Sequence, residues 1–182
     1  MTGLIILGNG FEIAEAIVPL DYLFRAGINV IKASVSEKVV TSQEGIKVYA
    51  DTLLENVDFN EFDFLIIPGG KASFTVLDKV KKVDEAIDYF ANNNKLVAAI
   101  CAAPFLVGRL GHLNNHSFTC YPGFEKQVVG GTYLRDKGVV RDGNFITGKS
   151  MYYSIDLGLE IIEYFYGKEE KEKLKLSLMG EE

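Results

Sequence analysis

The sequence predicts an α/β protein in which a mostly parallel sheet is covered by helices on both faces. Short apolar runs of strand length alternate with amphipathic helical patterns along the 182 residues, as in repeated strand–helix–strand units. Three of these runs end in turn residues or a cysteine, at Gly8, at Gly69-Gly70 and at Cys101. Because right-handed crossovers bring the carboxyl ends of parallel strands to one edge of the sheet, we expect these three turns to converge on a single site.

Strands are predicted where short apolar runs lie between turn residues. The predicted sheet strands are residues 3–7, 29–33, 62–67, 96–100 and 118–120. Two antiparallel hairpins are predicted, at residues 39–41 with 46–49 and at residues 139–141 with 144–147. Asp142-Gly143 joins the second pair, and an aspartate–glycine dipeptide is a strong signal for a tight hairpin turn.

Helices are predicted where apolar residues recur with helical spacing. The predicted helices are residues 12–26, 79–93, 102–110, 154–166 and 168–176, the last of them charged and exposed. Gly27 closes the first helix, and Pro19 inside it is expected to kink or distort one turn. The sequence contains no internal repeat or linker, so a single domain spanning residues 1–182 is expected.

Composition and charge narrow the classes of function. The chain is 48% hydrophobic, and its net charge of −6 comes from lysines and glutamates that are mixed along the sequence. Without a basic stripe, nucleic acid is not an expected partner. No apolar run reaches the roughly 18 residues of a membrane span, and no signal-peptide pattern is present. We therefore expect a cytoplasmic protein without a membrane partner, and its two cysteines indicate no disulfide framework.

Cys101 stands where a predicted strand turns directly into a predicted helix. The strand is residues 96–100, and Pro104 falls in the first turn of the helix, where its missing N–H does no harm. Ala99 and Ala103 are small enough to let the two segments approach, as in the nucleophile elbow of hydrolases. This pattern predicts a strained backbone at Cys101 and a sulfur whose thiolate is favoured at neutral pH by the helix N-terminus. The alternative is an ordinary buried thiol.

Three groups could work with this cysteine. Glu15 lies one turn inside the first predicted helix among apolar residues, so its pKa should be raised and it could donate a proton. The alternative for Glu15 is a solvated helix glutamate. The Gly69-Gly70 turn has no side chains to block access, so the N–H of Gly70 and the N–H of Ala102 could form an anion hole beside the sulfur.

Other candidates are weaker. Glu12 shares a helix face with Glu15 and is a candidate pocket residue, although a first-turn charge favoured by the helix dipole explains it as well. Tyr121, at the next predicted strand end, is a candidate pocket wall. The two histidines, His112 and His116, fall in one polar loop and are expected to be exposed. No metal or cofactor is expected, because the residues around His116 match no ligand spacing.

Three motifs together resemble those of the DJ/ThiJ/PfpI superfamily, and within it the branch of the Parkinsonism-associated deglycase and the bacterial ThiJ-like proteins. They are AEAIVPLDYLFRAG at residues 14–27, PGG at residues 68–70 and AICAAP at residues 99–104. The resemblance implies a flavodoxin-like three-layer sandwich that forms a homodimer. It also implies a reactive cysteine at Cys101, a protonated Glu15 bonded to it, and an anion hole from Gly70 and Ala102. Activities assigned to the family are oxidative-stress sensing by cysteine oxidation and glyoxalase or deglycase chemistry on methylglyoxal or its adducts.

Departures from the family pattern guide the choice between these activities. Ala102 stands where the protease-like branch has a histidine, which argues against a Cys-His peptidase. Tyr121 stands where the deglycase branch often has a histidine, which weakens the proton-moving step of glyoxalase chemistry. We therefore favour a protein that senses an oxidant, and keep as the alternative an enzyme that attacks a small reactive aldehyde to form a hemithioacetal. Arg25 matches an interface arginine of the family, whereas Glu44 replaces another.

Overall fold

The computed structural model describes residues 1–181 of the chain. The strands in chain order are β1 (Thr2–Leu7), β2 (Asn29–Ser34), β3 (Val39–Thr41), β4 (Lys47–Tyr49), β5 (Thr52–Leu53), β6 (Phe64–Ile67), β7 (Leu96–Ile100), β8 (Ser117–Phe118), β9 (Thr132–Tyr133), β10 (Val139–Asp142) and β11 (Phe145–Gly148). The α-helices are α1 (Ile13–Arg25), α2 (Ala72–Thr75), α3 (Lys81–Asn92), α4 (Pro104–Arg109) and α5 (Ser154–Met179).

Within residues 1–181, seven strands form the central sheet, in the order β10-β11-β7-β6-β1-β2-β5. All neighbouring pairs are parallel except β10 and β11, which form the antiparallel hairpin predicted around Asp142-Gly143. The middle strands β6 and β7 are buried along their whole length, as their uninterrupted apolar sequences predict. The prediction of a mostly parallel sheet is confirmed.

Helices cover both faces of the sheet because the chain moves away from its centre in two directions. The chain passes from β1 to β2 through α1, and from β6 to β7 in the opposite direction through α3. Right-handed crossovers in opposite directions put the two helices on opposite faces. α5 packs closely on α1, since a Cβ atom added to Gly158 would lie 3.3 Å from the Cα of Pro19. On the other face, the Arg109–Asp84 ion pair joins α4 to α3. These layers make the predicted flavodoxin-like sandwich.

Several boundaries differ from the sequence prediction for local reasons. α4 begins at Pro104 because residues 101–103 form the turn of the elbow. α3 begins at Lys81 because Val80 has an extended backbone, with φ −99° and ψ 105°. The predicted strand at residues 118–120 is replaced by β8, which pairs with β9 outside the central sheet. α1 is one uninterrupted helix through the buried Pro19, and none of the helices in residues 1–181 is long and apolar enough to cross a membrane.

The predicted hairpin of β3 and β4 forms a separate two-stranded sheet that lies against the loop after β1. The N–H of Gly10 donates to the carbonyl of Thr41 at 2.8 Å, and the N–H of Gln43 donates to the carbonyl of Phe11 at 2.9 Å. The N–H of Thr41 also donates to the side chain of Asn9 at 2.8 Å. These bonds hold the hairpin tip close to the start of α1.

The two helices predicted at residues 154–166 and 168–176 form α5, which is broken at Gly167, where φ is 84° and ψ is 173°. Lys171 contacts Glu163 at 2.7 Å and Glu160 at 3.1 Å, and Arg141 contacts the same two carboxylates. Residues eight apart on a straight helix are separated by about 12 Å. The chain therefore reverses at Gly167 and lays its last, charged segment back along the first.

Candidate active site

Cys101 lies at the carboxyl end of β7 with a positive φ of 63°. Such a backbone costs about 1–3 kcal/mol for a residue other than glycine, and it persists only where its surroundings hold it. Here the N–H of Cys101 donates to the carbonyl of Gly148 at 2.9 Å, and its carbonyl accepts from the N–H of Tyr121 at 2.8 Å. The ends of two neighbouring segments therefore fix the turn. The predicted strain at the elbow is confirmed.

Glu15 lies in the first turn of α1, and its side chain is completely buried. Its Oε2 atom accepts a hydrogen bond from the N–H of Gly69 at 2.8 Å, and its carboxyl group is also hydrogen-bonded to Cys101. Its Oε1 atom is buried and has no hydrogen-bond partner among residues 1–181. Burial raises the pKa of Glu15 to about 7, although the hydrogen bonds from Cys101 and Gly69 act against that rise. The prediction of a buried carboxyl with a raised pKa agrees with this geometry.

Opposing contacts act on the Cys101 sulfur. Burial raises the pKa of the thiol, and the charge and hydrogen bond of Glu15 raise it further. The N–H groups of Ala102 and Gly70 bond to the sulfur and lower the same pKa. The pKa of the Cys101 thiol is therefore raised overall, whereas a helix N-terminus alone would lower it. A thiolate at neutral pH therefore requires Glu15 to keep its proton, because the protonated carboxyl removes the opposing charge and donates to the sulfur.

Gly69 and Gly70 allow the parts of the site to meet. A Cβ atom at Gly69 would lie 2.6 Å from Oε2 of Glu15 and 2.7 Å from Cβ of Cys101. Gly70 has a φ of 84°, and a Cβ atom there would lie 2.4 Å from the backbone nitrogen of Glu12. Any side chain at either position would push the first helix away from β6 and β7. The predicted Gly69-Gly70 turn is therefore required for the site, because a residue with a side chain does not fit at either position.

A cavity of about 360 Å³ opens over Cys101. Its polar side is formed by Glu12, whose carboxylate accepts a hydrogen bond from the side chain of Gln43. Gln43 in turn accepts a hydrogen bond from the N–H of Lys71 at 3.3 Å. The side chains and backbone that line the cavity are those of Glu12, Glu15, Gln43, Gly70, Lys71, Phe74, Cys101, Ala102, Tyr121, Phe124, Ser150 and Met151.

The structure brings the predicted site residues together and adds others. Glu12, Glu15, Gly70, Ala102 and Tyr121 all line the cavity with the cysteine, and Gly69 lies directly beneath it. Sequence reasoning missed the lining residues Gln43, Phe74 and Phe124. A usable signal was the position of the two phenylalanines, since Phe74 comes four residues after Gly70 and Phe124 comes three residues after Tyr121.

The remaining candidates lie elsewhere in the fold. The prediction that His112 and His116 are exposed is wrong, because both are half-buried through contacts with aspartates. His112 contacts Asp88 at 2.6 Å, and His116 contacts Asp142 at 3.2 Å. Neither histidine is among the described residues that line the cavity. Cys120 is buried, and that burial raises the pKa of its thiol to about 12. Of the two cysteines, Cys101 is therefore the one whose thiol is accessible from the cavity.

The fold and the elbow place the chain in the class of α/β proteins that present a cysteine at the carboxyl edge of an open parallel sheet. Within that class the chain belongs to the DJ-1/PfpI family, which it matches over residues 1–164. The resemblance seen in the three sequence motifs is confirmed.

Individual relatives agree with this assignment. The protein dj-1beta of Drosophila melanogaster is 32% identical over 98% of this chain and 96% of its own length, and its crystal structure superposes with a TM-score of 0.91. A Pyrococcus abyssi protein named as a deglycase is 35% identical over 82% of this chain and 90% of its own length. The oxidized DJ-1 of Toxoplasma gondii, 29% identical over 98% of this chain and 97% of its own, superposes with a TM-score of 0.90.

The titration of Glu15 predicts a specific pH dependence of stability. In the unfolded chain Glu15 ionises near its ordinary pKa of 4.5, whereas in the folded protein it ionises near 7. Between these values the folded state binds more protons, so the free energy of unfolding should fall as pH rises through this window, by up to about 3 kcal/mol. Chemical denaturation at pH 4.5 to 7 measures this.

Glu15→Gln should remove that slope, because the amide keeps an acceptor for the N–H of Gly69 but does not titrate. The exposed Glu55 supplies the control variant Glu55→Gln, which should keep the slope of the wild type. Parallel curves for wild type and Glu15→Gln would show that Glu15 is not the titrating group.

Proposed function

We propose that this chain is a cytoplasmic protein of the oxidative-stress response in which Cys101 is oxidised to a sulfinate. The observation that carries the proposal is the buried Glu15 beside the sulfur, whose pKa burial raises to about 7 and whose Oε1 atom is unpartnered among the described residues. Such a carboxyl group can donate a short, charge-assisted hydrogen bond to a sulfinate oxygen. The Toxoplasma relative solved in an oxidized form is consistent with this role.

The chemistry balances with a peroxide as oxidant. The sulfur of Cys101 takes one oxygen from a first peroxide molecule, which leaves as water, and becomes a sulfenic acid. A second peroxide molecule supplies the second oxygen, and the resulting sulfinic acid loses its proton. The N–H groups of Gly70 and Ala102 already point at the sulfur, so the new anion forms among donors that are in place.

The other thiol does not compete well for the sulfenic acid. Condensation to a disulfide requires a second thiol that can ionise and reach Cys101. Cys120 is fully buried, and burial raises its pKa to about 12, so the thiolate that would attack is scarce at neutral pH. Further oxidation of Cys101 is therefore the favoured route.

An alternative activity, glyoxalase or deglycase chemistry, is favoured by the deglycase named among the relatives and by the open cavity over the sulfur. The sulfur of Cys101 would add to the aldehyde carbon, and the carbonyl oxygen would take up a proton to give a hemithioacetal. Gly70 and Ala102 would stabilise the oxygen anion as it forms, and Glu15 would move the proton.

We also propose a homodimer that uses the outer face of α1. Ile17 and Phe24, seven residues apart on this helix, are 39% and 77% exposed. Residues at this spacing lie on one face of a helix, so two exposed apolar side chains are available on the same face for a contact with a second copy. Arg25, which pairs with Asp21 of its own helix at 3.0 Å, lies next to this face. We propose that Glu44 of the hairpin tip pairs with Arg25 across this interface.

For the oxidation proposal, a small excess of hydrogen peroxide should add two oxygen atoms to wild-type Cys101 and then stop. Glu15→Asp should lose this plateau, stalling earlier or continuing to three oxygens, because the shorter side chain cannot reach the sulfinate. Intact-mass measurement over time, with peptide mapping, reads the number of oxygens. Glu12→Asp shortens another carboxylate of the same cavity that does not contact the sulfur, and it should behave as wild type. Identical profiles for wild type and Glu15→Asp would overturn the role of Glu15.

For the enzymatic alternative, wild type should convert methylglyoxal to lactate and Cys101→Ser should not. Tyr121→His restores the histidine of the deglycase branch and should raise the rate by about 100-fold, at the low end of the usual range for a proton-transfer group. Lactate and residual methylglyoxal are both measured. Loss of methylglyoxal without lactate in all three proteins would reject the alternative and leave the oxidation proposal standing.

For the dimer, light scattering at micromolar concentration should give twice the chain mass of 20.2 kDa. Phe24→Glu places a charge on the proposed interface and should shift the mass toward that of one chain. Val129→Glu changes an apolar residue that is 57% exposed in a different segment, and it should leave the mass unchanged. A wild-type mass of one chain would contradict the proposal.

A further inference from the structure

Asn9-Gly10 is the single place in the sequence where a glycine follows an asparagine. At such a pair the backbone nitrogen of the glycine can attack the side-chain carbon of the asparagine amide, because glycine has no Cβ atom to hinder the approach. The new carbon–nitrogen bond forms as ammonia leaves, and a cyclic succinimide results. Water then opens this ring to give either aspartate or isoaspartate, and no oxidant or reductant is consumed. Asn9 is exposed, so water reaches it.

The fold holds this pair in a turn that keeps the reacting atoms apart. The N–H of Phe11 donates to the carbonyl of Gly8 at 3.1 Å and closes a β-turn with Asn9 and Gly10 at its centre. Gly10 has a φ of 90°, whereas Asn9 is not among the residues of positive φ, so the turn is of type II. In a type II turn the first central residue has a ψ of about 120°, which rotates the following nitrogen away from the side chain of that residue.

Thr41 of the β3–β4 hairpin binds both reacting groups. Its N–H donates to the side-chain oxygen of Asn9 at 2.8 Å, and its carbonyl accepts from the N–H of Gly10 at 2.8 Å. The amide that would be attacked and the nitrogen that would attack are thus fixed to one residue of β3. The reaction requires both hydrogen bonds to break, and it therefore requires the hairpin to move away from the loop after β1.

The hairpin can separate from this loop without unfolding the central sheet. It forms its own two-stranded sheet, and hydrogen bonds of Thr41 and Gln43 join it to the loop and to the start of α1. Val40 is completely buried, so separation also exposes an apolar side chain, and the open state is a minor one. Peripheral elements open locally in this way at a lower free energy than global unfolding.

We propose that Asn9-Gly10 is a deamidation site gated by the β3–β4 hairpin. The site is unreactive while the hairpin is docked on the loop after β1, and it reacts when the hairpin opens. No step involves the sulfur of Cys101, so the proposal stands independently of the function proposed for that cysteine.

The modification changes how the hairpin docks afterwards. The side-chain nitrogen of Asn9 donates to Glu37 at 3.4 Å, and an aspartate at position 9 loses this donor and places a like charge there. Isoaspartate adds a carbon to the backbone and displaces Gly10. The carbonyl of Gly10 accepts from the N–H of Ala72 at 3.0 Å, and a Cβ atom on Gly70 would lie 2.6 Å from the same oxygen, so the displacement reaches Gly70. Deamidation is therefore a lasting record of hairpin opening that alters the rim of the cavity.

The rate of deamidation in the full chain, compared with the rate in a synthetic peptide of residues 7–13, measures the gate. Peptide mapping by mass spectrometry after incubation at neutral pH quantifies the aspartate and isoaspartate formed at Asn9. We expect the full chain to react at least about ten-fold more slowly than the peptide, because two hydrogen bonds must break first. Equal rates in the full chain and the peptide would overturn the gate.

Val40→Ala loosens the hairpin without removing a group that binds Asn9 or Gly10, and it should speed deamidation by about ten-fold. Val83→Ala is the matched control, since Val83 is also completely buried but lies in α3. This control lowers the stability of the whole protein and should leave the deamidation rate at the wild-type value. Hydrogen exchange at the amides of Gly10 and Thr41 should be faster in Val40→Ala alone.

Equal acceleration in Val40→Ala and Val83→Ala would show that the reaction proceeds through global unfolding, and the proposal would be wrong. It would also be wrong if Asn9 stays intact in Val40→Ala when hydrogen exchange shows an open hairpin and the peptide is fully converted. The comparison of wild type with the peptide tests the gate even if Val40→Ala does not fold. None of these outcomes bears on the oxidation of Cys101.

Discussion

The contact of Gly69 with Glu15 and Cys101 is the constraint on which the rest of the site depends. The N–H of Gly69 binds the Glu15 carboxyl at 2.8 Å, and the missing side chain leaves just enough space for that carboxyl to reach the sulfur. The first turn of α1, the end of β6 and the end of β7 are therefore in direct contact at this point. Burial in such a place favours the neutral form of the acid over the carboxylate, and this is what raises the pKa of Glu15 to about 7.

This contact links two properties that otherwise oppose each other. A thiol buried in an apolar environment is difficult to ionise, yet a useful nucleophile must ionise. The backbone donors of Gly70 and Ala102 favour the anion, and the strained elbow keeps them aimed at the sulfur. Glu15 decides the balance through its proton, because as a carboxylate it opposes the thiolate and as an acid it stabilises it. The chemistry proposed for the cysteine thus depends on the protonation state of one carboxyl group.

Six of the seven strands of the central sheet, the elbow and the Gly69-Gly70 turn were predictable from the sequence, because each depends on a few consecutive residues; β5, with only two residues, was not. For Glu15 the sequence left two interpretations open, a buried carboxyl group and a solvated helix glutamate. The burial of a helix glutamate depends on β6 and β7, which are distant in sequence. Phe74, Phe124 and Gln43 were missed, because they reach the cavity through short turns and a hairpin whose docking is fixed by tertiary hydrogen bonds. The direction of the Cys101 pKa was also missed, since the helix after it has only six residues and burial outweighs its N-terminus.

The separate β3–β4 hairpin has a consequence for how this protein can change over evolution. Its attachment to the loop after β1 relies mainly on backbone hydrogen bonds, such as that from Gly10 to Thr41, which are insensitive to side-chain identity. Its tip nevertheless supplies Gln43 to the cavity rim. The rim can therefore acquire new side chains by substitution in the hairpin while the seven-stranded sheet and the Cys101–Glu15 pair keep their sequence. The cavity mouth can therefore change without changing the reacting centre, and one scaffold can serve several ligands.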